Sequence, residues 1–275
     1  MDRSTLKLVA QKWGAFLLPL CLFCIPPYTS RGYALLEVGR VNAYILTHTI
    51  KNSFYSFYPV FKILPIALIL SILPFGNKAA RLFSWYVAIS YIFFAFLQSI
   101  SFSETYGLGI CSAHLALSLW VAVLWFAEAK SPRNDFTPIR RPLWKYWVVL
   151  PALLAFWEPA NPISGTPDFS PAYLLTSGAG LAFCMMTPVY LALLTLFYPK
   201  VNLTILGTTS LIGILYGLGN LFIAFFLDPG HSWWIGILHI PLLSISIYGL
   251  ALSAKDLLYQ ARPFRPAELP RPGAG

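Results

Sequence analysis

The chain has 275 residues, of which 57% are hydrophobic, 16% aromatic and only 11% charged, with a formal net charge of +9 and a mean hydropathy of +0.67. Too little polar surface remains to coat a soluble globule, the aromatic content excludes disorder, and 18 Gly without a triplet period exclude collagen. What is left is a polytopic membrane protein.

A helix needs about 20 apolar residues to cross a hydrocarbon core of about 30 Å. Eight runs bounded by charge or by Pro and Gly predict spans near 13–30, 54–75, 82–103, 106–127, 144–158, 173–197, 203–226 and 233–254. The expected fold class is therefore all-α, a bundle of about eight transmembrane helices forming one domain over 1–261, with a disordered Pro-rich tail over 262–275. The first run follows Arg3, Lys7 and Lys12 as a signal peptide would, yet Pro26-Pro27-Tyr28 offers no small-residue cleavage site, so it reads as a retained signal anchor. After it, residues 31–53 mix Tyr33, Leu36, Val41, Tyr44, Ile45 and Ile50 with Arg40, His48 and Lys51, the pattern of an interfacial helix or lid.

Lys and Arg near span ends favour the cytoplasmic side. With the N-terminus inside, fifteen of the nineteen lie on inner segments: Arg3, Lys7, Lys12, Lys78, Arg81, Lys130, Arg133, Arg140, Arg141, Lys145, Lys200, Lys255, Arg262, Arg265 and Arg271. Arg31, Arg40 and Lys51 fall in the one long outer loop, and Lys62 falls inside a span. Both termini are thus expected to be cytoplasmic. The positive charge becomes a collar facing anionic lipid headgroups, with no nucleic-acid motif beside it and no nucleic-acid partner expected.

Cys21, Cys24, Cys111 and Cys184 all sit in predicted spans, and the C-x-x-C spacing of the first two stands among Leu, Phe, Ile and Pro, so they read as packing residues and no metal site is expected. Asn202-Leu203-Thr204 matches the glycosylation pattern but falls in a tight turn on the cytoplasmic side, where it should stay bare.

Ionisable groups inside spans are costly, so their depth is informative. His114 of the fourth span, His239 of the eighth, Asn220 of the seventh, Gln98 of the third and Lys62 of the second all fall in the outer third, whereas the inner halves hold little beyond Ser and Thr. Their ordinary reading is hydrogen bonding between helices, and that of end-of-span Trp is an interfacial belt. A haem held by His114 and His239 is geometrically conceivable, although no second pair or haem motif accompanies them.

The fifth run sharpens the pattern. Trp144 to Trp157 covers only about 21 Å as a helix, so with its basic end fixed by Arg140, Arg141 and Lys145, Glu158 must lie below the outer surface. Glu158-Pro159-Ala160-Asn161-Pro162 cannot remain helical, and irregular backbone at membrane depth survives only where it lines a cavity or is wrapped in protein. The expectation is one pocket in the outer half, bordered by spans two, three, four, five, seven and eight, into which His114, Asn220 and His239 point. Glu158 is the first candidate acid; Asp228 and Glu104, at neighbouring outer ends, are reserves, and His239 completes the candidate catalytic set. His114, Asn220, Lys62, Gln98, Trp157 and Trp233 form the candidate substrate-binding set.

No nucleophile elbow, zinc motif or phosphate loop is present. A carboxylic acid in an apolar cavity can hold its proton at neutral pH and donate it, aromatic faces stabilise cations, and a dry site keeps water from trapping them. That combination suits carbocation cyclisation of a lipophilic isoprenoid.

Four stretches carry a family resemblance: Ile25-Pro26-Pro27-Tyr28-Thr29, Trp157-Glu158-Pro159-Ala160-Asn161-Pro162, Leu175-Thr176-Ser177-Gly178-Ala179-Gly180-Leu181 through Pro199, and Leu238-His239-Ile240-Pro241. In these, and in length, the chain resembles the small integral-membrane terpene cyclases of fungal meroterpenoid pathways, particularly the group that makes ascochlorin- and ascofuranone-type compounds. The resemblance implies protonation of an epoxide or terminal alkene on a prenyl chain carried by an aromatic or polyketide head, then ring closure and proton loss, an isomerase or lyase type of reaction with no cofactor. It also implies a home in the endoplasmic reticulum membrane. The competing class is a transporter for a small anionic or lipophilic solute, with Lys62, His114, Asn220 and His239 as its binding cluster; a non-catalytic membrane scaffold is the third.

Overall fold

A computed structural model of the chain describes residues 14, 16–137, 140–162, 164–227, 229–230 and 232–260. The Pro-rich tail at 262–275, the basic residues Arg3, Lys7, Lys12, Arg262, Arg265 and Arg271, and the candidate acid Asp228 lie outside the described residues.

The protein is a mostly helical bundle, and five of its helices are long and apolar enough to cross a membrane: Ile50–Ile72, Asn77–Leu97, Ser112–Lys130, Leu203–Phe226 and Trp233–Asp256. In chain order the bundle begins with α1 (residues 16–23), whose Phe16 abuts Gly207 and whose Phe23 meets Tyr216 edge-on at 5.9 Å. A short strand, β1 (Tyr28–Thr29), leads to α2 (Val38–Thr47), which takes 10 residues in the middle of the loop expected to be an interfacial helix or lid. A 3-10 turn over Ile50–Phe57 then enters α3 (Tyr58–Phe75), with Pro59 suiting its first turn, where no N–H partner is needed.

The third and fourth predicted spans need correction at their outer ends. Helix α4 (Asn77–Leu97) stops well before residue 103, and α5 (Ser112–Lys130) starts after residue 106. The residues between form an antiparallel hairpin, β2 (Ile100–Ser103) and β3 (Gly107–Ile110), to which β1 adds a third strand in the order β1-β3-β2. Ile100-Ser101-Phe102-Ser103 alternates with the period of a strand, and Gly107 turns at φ +67°, which its missing Cβ allows. Gly109 lets α2 lie on this sheet, because a Cβ there would stand 2.9 Å from Ile45 Cγ1. Val41 and Ile45 of α2 are fully buried with Cys111 beneath them.

The fifth predicted span holds a short apolar segment: a 3-10 turn (Leu143–Val148) and α6 (Val149–Trp157) together reach about 25 Å. The sixth predicted span is not one straight helix. Helix α7 (Tyr173–Thr176) and a 3-10 turn (Gly178–Leu181) meet α8 (Phe183–Phe197) at 96°. The hinge, Ala182, is extended at φ −117°, ψ 123°, and the side chain of Gln98 caps the new start by accepting the Phe183 N–H at 2.8 Å. Gly180 is required here, since a Cβ would lie 2.5 Å from the Phe61 carbonyl oxygen of α3.

Helices α9 (Leu203–Phe222) and α10 (Trp233–Gln260) close on each other through small residues. Gly213 faces Ser246 and Gly249 faces Ser210, the close backbone approach that favours helix association in lipid. Between α4, α5, α8 and the 131–137 segment lies an aromatic core, in which Phe83 contacts Trp125, Phe136 and Tyr190 edge-on at 6.0, 6.1 and 6.0 Å.

Two ends of the bundle follow from these contacts. At one, the end of α5, the start of α4, the start of α9 and the segment 131–137 are tied together, and Lys78, Arg81, Lys130, Arg133, Arg141 and Lys200 gather on these or adjoining segments; this is the basic face. At the other lie the sheet, α2, Gln98 with the start of α8, and the turn after α6.

Candidate functional site

Helix α6 ends because Pro159 and Pro162 follow it and because Glu158 takes the left-handed conformation, φ 53° and ψ 63°. A glycine is the usual occupant of such a cap; a side chain there costs about 1–2 kcal/mol. Among the described residues Glu158 is the only non-glycine residue with positive φ. Its N–H still donates to Leu154 O at 3.0 Å, while its own carbonyl accepts from Ala160 N at 2.8 Å, so the chain doubles back at once.

That reversal leaves the last carbonyls of α6 without helical partners. Lys62 of α3, fully buried, donates from Nζ to Phe156 O and stands 4.2 Å from the centre of the Phe156 ring, placing a donor at the negative end of the helix. Ser177, from the sixth predicted span, donates to Trp157 O at 3.1 Å. Trp157 in turn donates from its indole to Ser170 O at 3.0 Å and packs edge-on against Phe169 at 5.9 Å. Trp234 Nε1 closes the turn from α10 by donating to Pro159 O at 2.7 Å.

The Glu158 carboxylate itself accepts no hydrogen bond among the described residues. Its charge acts instead on Lys62, on the Tyr58 phenol and on the Cys184 thiol, and the Lys51 ammonium acts on Lys62 and Cys184 as well. Lys51 comes in over Gly178, where a Cβ would stand 3.2 Å from its Nζ. One carboxylate, two lysine amines, a phenol and a thiol thus share a region built by the start of α3, the end of α6 and the bend before α8.

Beside it runs an apolar cavity of about 590 Å³ between α3, α6, α7 and α8, lined by Pro65, Ile66, Ile69, Leu70, Phe156, Leu174, Val189 and Leu193 among others. Phe156 belongs to both: its ring lines the cavity and carries Lys62. The volume lies within the ordinary range of ligand pockets.

The remaining candidates are dispersed. His114 Nδ1 is 2.7 Å from Ser99 Oγ, and its ring packs on Phe183 and Tyr216 at 5.6 and 5.3 Å; its Nε2 is buried without a partner. Asn220 donates to Tyr216 O at 2.9 Å and His239 Nδ1 is 2.7 Å from Ile235 O, each a carbonyl one turn back in its own helix. Glu104 is exposed in the β2–β3 turn, and Trp233 stands at the start of α10, 41% exposed, against Trp234. The cavity is therefore not walled by His114, Asn220 and His239. It lies against spans two, five and six, where only Lys62, Trp157 and Glu158 of the sequence candidates are near. No three His, Cys, Asp or Glu side chains gather as a metal would need among the described residues.

The sequence reading passed over Lys51, Tyr58 and Ser177 as parts of this region, and over a second polar centre on the basic face. There Glu128, 1% exposed, accepts from Arg133 N at 2.6 Å, Asn134 N at 2.7 Å and Asn202 Nδ2 at 2.8 Å. Asn202 also caps α9 by accepting from Thr204 N and Ile205 N, a role that Asn before an apolar run signals in sequence. Asp135 gathers Thr137, Asn77 and Lys200, and these groups hold its carboxyl well below the usual carboxylate range, the Thr137 hydroxyl first. No protein-family model matches the chain, and no curated protein or solved structure matches it significantly.

Proposed function

We propose that the protein is a membrane-embedded, protonation-initiated cyclase acting on a prenylated aromatic or polyketide compound. The observation that carries this reading is Glu158: a carboxylate that accepts no hydrogen bond among the described residues, held on a strained left-handed cap, two residues from the Phe156 ring that lines an apolar cavity. Strained backbone kept in place by its surroundings is a mark of functional sites. A prenyl chain fits the apolar cavity, and its reactive end lies toward α6.

In this reading the Glu158 carboxyl gives its proton to an epoxide oxygen or a terminal alkene carbon. For the epoxide, the C–O bond opens with its electron pair on the oxygen that has taken the proton, the resulting tertiary cation is attacked by a neighbouring double bond, and the last cation returns a proton to the Glu158 carboxylate, so the acid is restored and substrate and product are isomers. Of the residues that line the cavity, Phe156 is the aromatic one that would stand nearest the cation. Lys62 is committed to the end of α6, so it shapes the site rather than reacting. The transport reading draws less support, because the buried carboxylate of the basic face is saturated by structural hydrogen bonds.

The setting we propose is eight crossings of the endoplasmic reticulum membrane with the basic face and both termini cytoplasmic. A glycosylation-tag map that put residues 130–145 in the lumen would overturn that orientation. The activity is tested in a host fed a farnesylated phenol or its epoxide: the expression strain should yield a cyclised isomer, and a strain carrying Glu158→Gln should not. Near-normal turnover by the variant would remove Glu158 from the role.

A further inference from the structure

We propose that Arg141 binds a phosphate group at the basic face, and that the position favours the phosphate of a membrane phospholipid. Arg141 precedes the 3-10 turn that starts the fifth span, and it is half-buried. Its Nε and Nη2 are both shielded from solvent, and neither meets an acceptor. A guanidinium has only donors and keeps its charge at any accessible pH, so it cannot escape the cost of burial by losing a proton. Buried donors of this kind are normally satisfied.

The geometry of the two atoms narrows the ligand. Nε and Nη2 form one edge of the guanidinium, and their parallel N–H groups match two oxygens of a single phosphate or carboxylate. The carboxylates described on this face are engaged elsewhere: Glu128 by backbone N–H groups and Asn202, Asp135 by Asn77, Thr137 and Lys200, and Asp256 by the Tyr198 hydroxyl. Other basic groups of the face have partners of their own, Arg81 on Ala129 O at 3.1 Å and Lys200 on Asp135 at 3.3 Å. The acceptor for Arg141 must come from outside the described chain.

Its surroundings suit a headgroup. The phenol of Tyr248 in α10 lies within reach of the Arg141 charge, and Trp147 packs edge-on against that ring at 5.5 Å. A Tyr and a Trp beside an Arg at the charged end of a bundle is the arrangement that settles at the headgroup level, where phosphate is the abundant anion.

The test uses the purified full chain and its Arg141→Gln, Arg141→Lys and Arg140→Gln variants, with retained lipid read by native mass spectrometry and stability by the thermal midpoint. The probes are dioctanoyl phosphatidylglycerol and, separately, inorganic phosphate. Wild type should hold the lipid and gain stability from it. Arg141→Gln should bind it about tenfold more weakly, the loss expected when a charged two-pronged contact goes. Arg141→Lys, which folds with the charge kept but the fork lost, should fall between, and Arg140→Gln, altered at an exposed neighbour, should match wild type. An equal, Arg141-dependent response to inorganic phosphate would keep the site and assign it to a soluble phosphate ester. Lipid retention unchanged in folded Arg141→Gln, or in folded Arg141→Lys if the first does not fold, would overturn the proposal.

Discussion

Glu128 and Glu158 are two carboxylates at opposite ends of the same bundle, and they are held in opposite ways. Glu128 ends a regular helix, is almost wholly buried, and takes two backbone N–H groups and an Asn amide; it joins α5, the 131–137 segment and the start of α9. Glu158 sits on a strained reversal, where the groups around it bond to the α6 carbonyls and leave the carboxylate with charges for company but no hydrogen bond among the described residues. A carboxylate engaged in this way is an anchor: both oxygens accept, and a substrate would have to compete with structural bonds. An unsaturated one near a cavity keeps its oxygens open to another donor.

That contrast can be broken most directly at Glu158. Glu158→Gln keeps the shape and the strained φ but has no transferable proton, so product formation in the fed host should drop by about 10²- to 10⁴-fold with normal membrane insertion. Glu128→Ala should do the reverse. It strips acceptors from three donors and should cost about 3–5 kcal/mol, seen as a lower thermal midpoint in detergent, whereas an unchanged midpoint would dissolve the distinction between the two sites. Gly180→Ala tests whether the bend in the sixth predicted span matters to the Glu158 region. The new methyl meets the Phe61 carbonyl, and overpacking of this sort costs about 1–3 kcal/mol, with turnover falling further than stability alone explains.

Smaller effects sharpen the comparison. Glu158→Gly removes the side chain from a left-handed cap and should raise stability by about 1 kcal/mol while abolishing turnover; a loss of stability would mean that the carboxylate is an anchor after all. On the basic face, Asp135 is held below the ordinary carboxylate range by Thr137, Asn77 and Lys200. Its contribution is therefore fully present above the unfolded value of about 3.9 and is lost as pH falls through the lower folded value. Hydrogen exchange at Asn77 and Phe136 should be flat in its protection between about pH 5 and 8 and weaken only below about pH 4, a small change because the group is exposed.

Much of this was legible in the chain. The membrane class followed from composition, and the break after Trp157 followed from a short apolar run and the two prolines beyond Glu158. The hairpin between α4 and α5 was hidden because Ile100, Phe102, Leu108 and Ile110 extend the apolar runs on either side, and hydropathy alone reads them as more helix; the alternation and Gly107 carried the opposite signal. Matched depth gathered His114, Asn220 and His239 on paper, but depth says nothing about rotation around a helix or about a side chain that turns to its own backbone, as Asn220 and His239 do. Lys62 was noticed for its cost, yet its partner is Phe156, 94 residues away, and no local pattern announces such a pairing.

Ile66, Leu70, Leu153, Leu174 and Leu175 line the cavity and are also 38–56% exposed on the flank of the bundle, so in a bilayer its mouth opens among acyl chains. A molecule arriving that way diffuses in two dimensions, and the quantity that sets its encounter rate is its mole fraction in the lipid, not its concentration in the surrounding water. Diluting a fixed amount of substrate with inert phospholipid should therefore slow the reaction, and adding buffer should not.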